Sequence, residues 1–139
     1  MDSSVQPKTL PRLITPEDGE ASIECWAKCN RTRLTQILAE HKAILFRGFG
    51  AVDAVESLAK LFFKQLLTYN YRSTSRKSIG DHLYTSTEYP PELSIPQHCE
   101  NSYQRSWPLK LLFHCAVSAP KGGETPLADM NKVTAALDL

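Results

Sequence analysis

The sequence predicts an α+β domain in which helices decorate a few short strands. Three observations lead there. An apolar stripe recurs at helical spacing between Val55 and Leu67, and short apolar runs stand at 44–46 and 109–117. The order of elements is helix, strand, helix, then strands. With 139 residues the chain is at most one domain, long enough to bury a core.

Taken in order, the first twenty residues are rich in Pro, Ser, Thr and acidic side chains. They are expected to form a flexible arm (1–20), with the domain proper over 21–139. From Ile23 to Glu40, Leu34, Ile37 and Leu38 recur at helical spacing. "AILFRGFG" then reads as a buried strand closed by Gly48 and Gly50. Asp53 with Glu56 three residues on is a capping box for the next helix. Its stripe of Val55, Leu58, Ala59, Phe62, Phe63, Leu66 and Leu67 suits a face packed on a sheet.

"YNYRSTSRKSIG" reads as a loop or a polar strand, and "EYPPEL" as a break. Two more strands are predicted, one around "IPQHCENSY" and one at "LKLLFHCAV". The second is apolar on both faces, as in a strand buried on both sides, and His114, on a mid-strand apolar face, reads as a core histidine or one that supports a metal ligand from behind. "APKGGETPLAD" is a glycine-proline turn, and "MNKVTAALDL" starts a helical pattern without a closing signal. Few strands and an unclosed helix together suggest the first part of a larger domain.

Sixteen basic and fifteen acidic side chains leave a net charge of +1. No field therefore singles out nucleic acid or an anionic membrane as partner. No apolar run is long enough to span a membrane, and "MDSSVQPKTLPRL" lacks the apolar core of a signal peptide. The expected location is the cytoplasm. There the four cysteines, Cys25, Cys29, Cys99 and Cys115, are expected to be free thiols, some buried as small hydrophobes. Cys25 and Cys29 face one another across a helical turn, which leaves a small zinc-binding module with a histidine pair as one alternative.

The chemistry-bearing motif is His98-x-Glu100. If residues 97–101 are extended, both side chains project from one face while Cys99 points away. An imidazole and a carboxylate suit Fe(II), Mn or Zn. A further histidine would complete a two-histidine, one-carboxylate facial triad with positions open for cosubstrate and oxygen. The bland alternative is a half-buried histidine bonded to a carbonyl. Arg76 and Tyr103 read as a solvated arginine and a packed tyrosine, with reach to a substrate as the alternative for both.

"HCENSYQRSWPLKLLFHCAVSAPKGGETPLADMNKV" resembles the TauD/TfdA (taurine dioxygenase) family of Fe(II)- and 2-oxoglutarate-dependent dioxygenases. It is most similar to the clavaminate-synthase-like and SyrP-like branch, which carries glutamate in the metal motif. The likeness extends upstream through "AILFRGFG" and "YRSTSRKSIGDHLYTSTEYP". It implies the N-terminal portion of a double-stranded β-helix (jelly roll) with flanking helices. It also implies that His98 and Glu100 are iron ligands and that Thr125, in "GGETP", bonds a 2-oxoglutarate carboxylate. Asn101 would line the substrate pocket. The implied cofactors are Fe(II) and 2-oxoglutarate.

The implied reaction hydroxylates an unactivated carbon while 2-oxoglutarate becomes succinate and carbon dioxide. Molecular oxygen and a small amino-acid-like substrate, free or carrier-protein-bound, are the implied partners, in antibiotic or secondary-metabolite biosynthesis. Glu100 argues against the halogenating relatives, which replace this carboxylate with a small residue. The family's second histidine and its 2-oxoglutarate-clamping arginine lie beyond the Gly-Gly-x-Thr loop and do not occur before Leu139. The expectation is thus the first half of an active site. The alternative is a non-catalytic remnant that binds a partner, or a second copy as a homo-oligomer, through an exposed sheet edge.

Overall fold

The computed structural model describes residues 9–17, 22–69, 76–86, 88–90 and 92–137. They fall into two compact units, one drawn from Met1–Asp53 with Thr125–Leu139, the other from Ala54–Glu124. The elements are β1 (Arg12–Ile14), α1 (Ile23–Cys29), α2 (Arg31–His41), β2 (Ile44–Phe46), α3 (Val55–Phe62) and α4 (Met130–Ala136).

In the first unit β1 and β2 form a parallel pair, with Arg12 opposite Ile44, Leu13 opposite Leu45 and Ile14 opposite Phe46. Parallel neighbours need a long crossover, and α1 and α2 supply it. β2 lies where the apolar run predicted a strand. β1 places Arg12–Ile14 of the segment expected to be a flexible arm in a strand. Averaged composition concealed a short segment whose backbone finds a partner: the Arg12 N–H donates to the Ala43 carbonyl at 2.9 Å and the Arg47 N–H to the Ile14 carbonyl at 3.0 Å. Residues 1–8 and 18–20 of that arm lie outside the described residues.

The helix predicted from Ile23 to Glu40 is divided at Asn30. The Asn30 N–H and its Nδ2 both donate to the Trp26 carbonyl, at 3.0 and 2.9 Å, which closes α1. The Asn30 carbonyl then accepts from the Leu34 N–H at 2.8 Å and opens α2. A short amide side chain competes with the helical ladder in this way. Ser22 caps α1, its Oγ accepting from the Cys25 N–H at 3.5 Å and donating to Glu24 at 2.5 Å. That bond, foremost, holds the Glu24 carboxyl below the usual carboxylate range. Ile23, Trp26 and Ala27 of α1 and Leu34 of α2 are buried. The Trp26 ring meets Phe46 edge-on at 5.5 Å and Phe49 at 6.2 Å, so this aromatic trio fastens α1 to β2.

In the second unit α3 buries Leu58 and Ala59. The predicted capping box does not form: Ala54 takes the N-cap position without a side-chain bond, and Glu56 pairs with Lys60 at 2.7 Å. Phe63 is extended, so Phe63, Leu66 and Leu67 of the predicted stripe lie past the helix. Further on, Ser78 and Tyr84 form an isolated antiparallel bridge.

Neither later strand forms. Residues 94–99 carry no ladder and a turn begins at Glu100. Leu109, Phe113 and Val117 are 93, 69 and 87% exposed, so the segment predicted to be buried on both faces is an exposed apolar run. His114 is exposed too, which corrects its reading as a core histidine. All four cysteines are exposed, whereas some were expected to be buried. A ladder needs a neighbouring backbone, and no described residue offers one to 109–117. The described residues therefore form a small α+β structure with one parallel strand pair, and a double-stranded β-helix is not among them. In the first unit, Asp129 caps α4 by accepting from the Asn131 N–H at 3.0 Å. No helix of the described residues is long and apolar enough to cross a membrane.

Candidate metal centre

The turn at 100–103 brings His98 and Glu100 together without a strand. Asn101 makes that turn feasible: it is buried, its φ of +57° is one that asparagine tolerates, and its carbonyl accepts from the Gln104 N–H at 3.0 Å. Its Oδ1 accepts from Gln104 Nε2 at 3.4 Å. Asn101, carried over as a substrate-pocket residue, is thus placed in the scaffold of the turn.

His98 Nδ1 lies 2.8 Å from the Pro96 carbonyl oxygen. A carbonyl only accepts, so Nδ1 carries a proton, and Nε2 is the nitrogen left to offer a lone pair to a metal. That Nε2 stands 3.6 Å from Glu100 Oε1. Two metal–ligand bonds of about 2.1 Å reach donors up to about 4.2 Å apart. The pair therefore fits one ion, held by one imidazole nitrogen and one carboxylate oxygen. The His98 side chain is 56% exposed and that of Glu100 33%, so the ion would be reachable from solvent.

Glu100 has a second neighbour that the sequence did not disclose. Arg76 Nη2 lies 3.8 Å from Glu100 Oε2, and the Arg76 side chain is 25% exposed. Its guanidinium sits over the Tyr69 ring, 5.3 Å from the centroid. Tyr69 is held in turn: its N–H donates to the Tyr84 hydroxyl, and its own hydroxyl meets that of Tyr103, each at 2.9 Å. The readings of Arg76 as solvated and of Tyr103 as packed away are both corrected, since Tyr103 is 53% exposed.

The other histidines take other partners or stand apart. His41 Nδ1 bonds the Thr9 carbonyl at 2.9 Å, and His82 Nδ1 meets Thr68 Oγ1 at 3.4 Å. Among the described residues no group of three or more His, Cys, Asp or Glu side chains converges. No third ligand joins His98 and Glu100 there, and Cys25 and Cys29 gather no zinc set. Gly122 and Gly123 are both left-handed, with φ of +71° and +82°, which turns the loop carrying Thr125. Thr125 is exposed, in irregular chain before α4.

Comparison with known proteins places these residues in context. The taurine catabolism dioxygenase TauD, TfdA family matches residues 8–139. The chain is 40% identical over 128 residues to the dapdiamide synthesis protein DdaC of Enterobacter agglomerans, covering 91% of this chain and 38% of that protein. It is 31% identical over 130 residues to a clavaminate synthase-like protein of Arabidopsis thaliana, covering 86% of this chain and 39% of the other. The chain thus spans about two fifths of each of these relatives. No solved structure matches it.

Proposed function

The chain belongs to the TauD/TfdA dioxygenase family, in its clavaminate-synthase-like branch, and from that premise we propose that it forms the N-terminal part of an Fe(II)- and 2-oxoglutarate-dependent dioxygenase. The carrying observation is His98 Nε2 standing 3.6 Å from a Glu100 oxygen, with Nδ1 engaged by the Pro96 carbonyl.

His98 and Glu100 are two of the iron's protein ligands in this reading. The carboxylate partly offsets the ion's charge, and the Pro96 contact at Nδ1 leaves Nε2 as the nitrogen that faces the ion. Thr125 donates its hydroxyl to a 2-oxoglutarate carboxylate, and Gly122 and Gly123 shape the loop that carries it. Asn101 holds the turn and borders the substrate. Iron(II) with bound 2-oxoglutarate supplies oxygen activation, coupled to conversion of the oxo acid to succinate and carbon dioxide. The reading needs a third protein ligand and an arginine for 2-oxoglutarate besides these residues.

The domain over residues 21–139 is the leading part of a jelly roll. The exposed apolar run at 109–117 supports that reading, because a strand facing the remainder of such a domain needs this composition. The substrate is a small amino-acid-like molecule, free or carrier-bound, hydroxylated in the cytoplasm during secondary-metabolite or antibiotic biosynthesis. The dapdiamide synthesis relative supports a biosynthetic role. The same apolar run also suits pairing with a second copy, so a homo-oligomeric binding module is the second reading.

The test is succinate release from 2-oxoglutarate by the intact protein, with amino-acid substrates, with and without iron. Succinate that requires iron and disappears in His98→Ala supports the enzyme. Iron-independent turnover, or none across the substrate panel, contradicts it.

A further inference from the structure

We infer that Arg76 is a positioning residue for the metal-binding carboxylate, fixing Glu100 through Oε2 so that Oε1 is the oxygen turned toward His98 Nε2. The inference rests on the iron reading given above. Three observations of the described structure carry it. The two oxygens of Glu100 are divided between two partners, Oε2 toward Arg76 Nη2 at 3.8 Å and Oε1 toward His98 Nε2 at 3.6 Å. A free carboxylate spins about its last bond and offers either oxygen, or both. A cation on one side removes that freedom and favours a single-oxygen contact with a metal on the other.

The arginine is itself held from outside the pair. Its guanidinium lies over the Tyr69 ring at 5.3 Å, and Tyr69 is tied to Tyr84 and Tyr103 by hydrogen bonds of 2.9 Å each. The rings of Tyr69 and Tyr84 also meet edge-on at 5.8 Å. Arg76 is therefore clamped by an aromatic platform and not by the motif it serves.

Finally, Arg76 Nε is buried without a hydrogen-bond partner. An orphaned buried donor is costly, so Arg76 does not sit there to satisfy its own hydrogen bonds. Nε and Nη2 form the side edge of the guanidinium, and Nη2 already faces Glu100. That edge is the fork that takes a carboxylate, poised at a distance slightly longer than a hydrogen bond.

The sign of the effect separates positioning from mere proximity. A cation beside a metal site repels the ion, so on charge alone its removal tightens metal binding. Positioning demands the reverse. The experiment titrates Co(II) into the intact protein by calorimetry for wild type, Arg76→Gln, Arg76→Lys, Tyr69→Leu and His98→Ala. The urea midpoint of each metal-free protein is measured alongside.

We expect Arg76→Gln to weaken Co(II) binding by about 10- to 100-fold. Arg76→Lys should recover part of the loss, and Tyr69→Leu should show a smaller loss, all with the urea midpoints of folded protein. Should Arg76→Gln fail to fold, Arg76→Lys and Tyr69→Leu still decide the matter, because unchanged affinity in both overturns the inference. Unchanged or tighter binding in Arg76→Gln overturns it while wild-type binding, lost in His98→Ala, leaves the iron reading standing. Absence of Co(II) binding by wild type overturns both.

Discussion

Replacing Gly123 by alanine tests the loop that carries Thr125. A Cβ on Gly123 would stand 2.8 Å from the Ala119 Cβ, whereas ordinary contact begins at 3.4 Å, so reaching it takes a separation of 3.4 − 2.8 = 0.6 Å. Ala119 has no flexible side chain to swing aside, and the backbone itself must move. At φ of +82° an alanine also carries a left-handed cost. Strain of about 1–2 kcal/mol and overpacking of about 1–3 kcal/mol sum to about 3 kcal/mol. Gly122→Ala is the control, since its Cβ would meet only Glu124 Oε2 at 3.9 Å and carries the φ cost alone.

If that cost falls on the cosubstrate-bound loop, Gly123→Ala weakens 2-oxoglutarate binding on the order of a hundredfold and Gly122→Ala only about fivefold. The assay is equilibrium binding of 2-oxoglutarate to the metal-loaded intact protein, with circular dichroism to verify folding. Equal losses in the two variants, or none in either, would refute the reasoning.

Other perturbations probe the frame. Trp26→Ala removes a ring 6% exposed and its edge contacts with Phe46 and Phe49. It should cost about 4 kcal/mol in urea unfolding, and a loss below about 1 kcal/mol would show that the trio does not fasten the first unit. Trp26 and Trp107 are the two tryptophans, and Trp107 is 58% exposed. Trp107→Phe should therefore shift the emission to the blue, and a red shift would contradict the burial of Trp26. Ser22→Ala removes a cap bond at the long limit of 3.5 Å, for a loss of about 0.5 kcal/mol at neutral pH.

Ser22→Ala should also alter the acid response. Ser22 holds the folded Glu24 carboxyl below its unfolded value. That contribution is present above the unfolded pKa of about 4.3 and is lost as pH falls through the lower folded value. The variant should thus lose less stability than wild type on going from neutral pH to about pH 3. A parallel acid limb in the two proteins would refute the linkage.

The sequence disclosed what is local and periodic. β2, the start of α4 and the apolar register of α2 and α3 follow from spacing alone, because each is decided by residues within a turn or two of one another. The break at Asn30 was legible in principle, in an asparagine able to bond the carbonyl four residues back. β1 was not, since three residues with one exposed leucine acquire strand character only from a partner 32 positions away. The strands predicted at 95–103 and 109–117 carried the right composition. A ladder, however, is a property of two segments, and the described residues supply only one.

The candidate site divides along the same line. His98 and Glu100 are two residues apart, and their proximity survives although a turn produces it instead of a strand. Asn101, singled out for the substrate pocket, also makes the turn, and its left-handed φ of +57° was not signalled by the spacing. Arg76 had no local signature. Its role depends on Tyr69, Tyr84 and Tyr103 converging from well-separated positions, and the one advance signal was tyrosine enrichment in otherwise polar stretches.

The central claim is that His98 and Glu100 hold iron. Its most direct test is the Fe(II) content of the anaerobically reconstituted intact protein beside His98→Ala, Glu100→Ala and Cys99→Ala, each verified as folded. Stoichiometric iron in wild type and in Cys99→Ala, with loss from the other two, is the expected result. Iron retained at the wild-type level in either His98→Ala or Glu100→Ala would contradict the account.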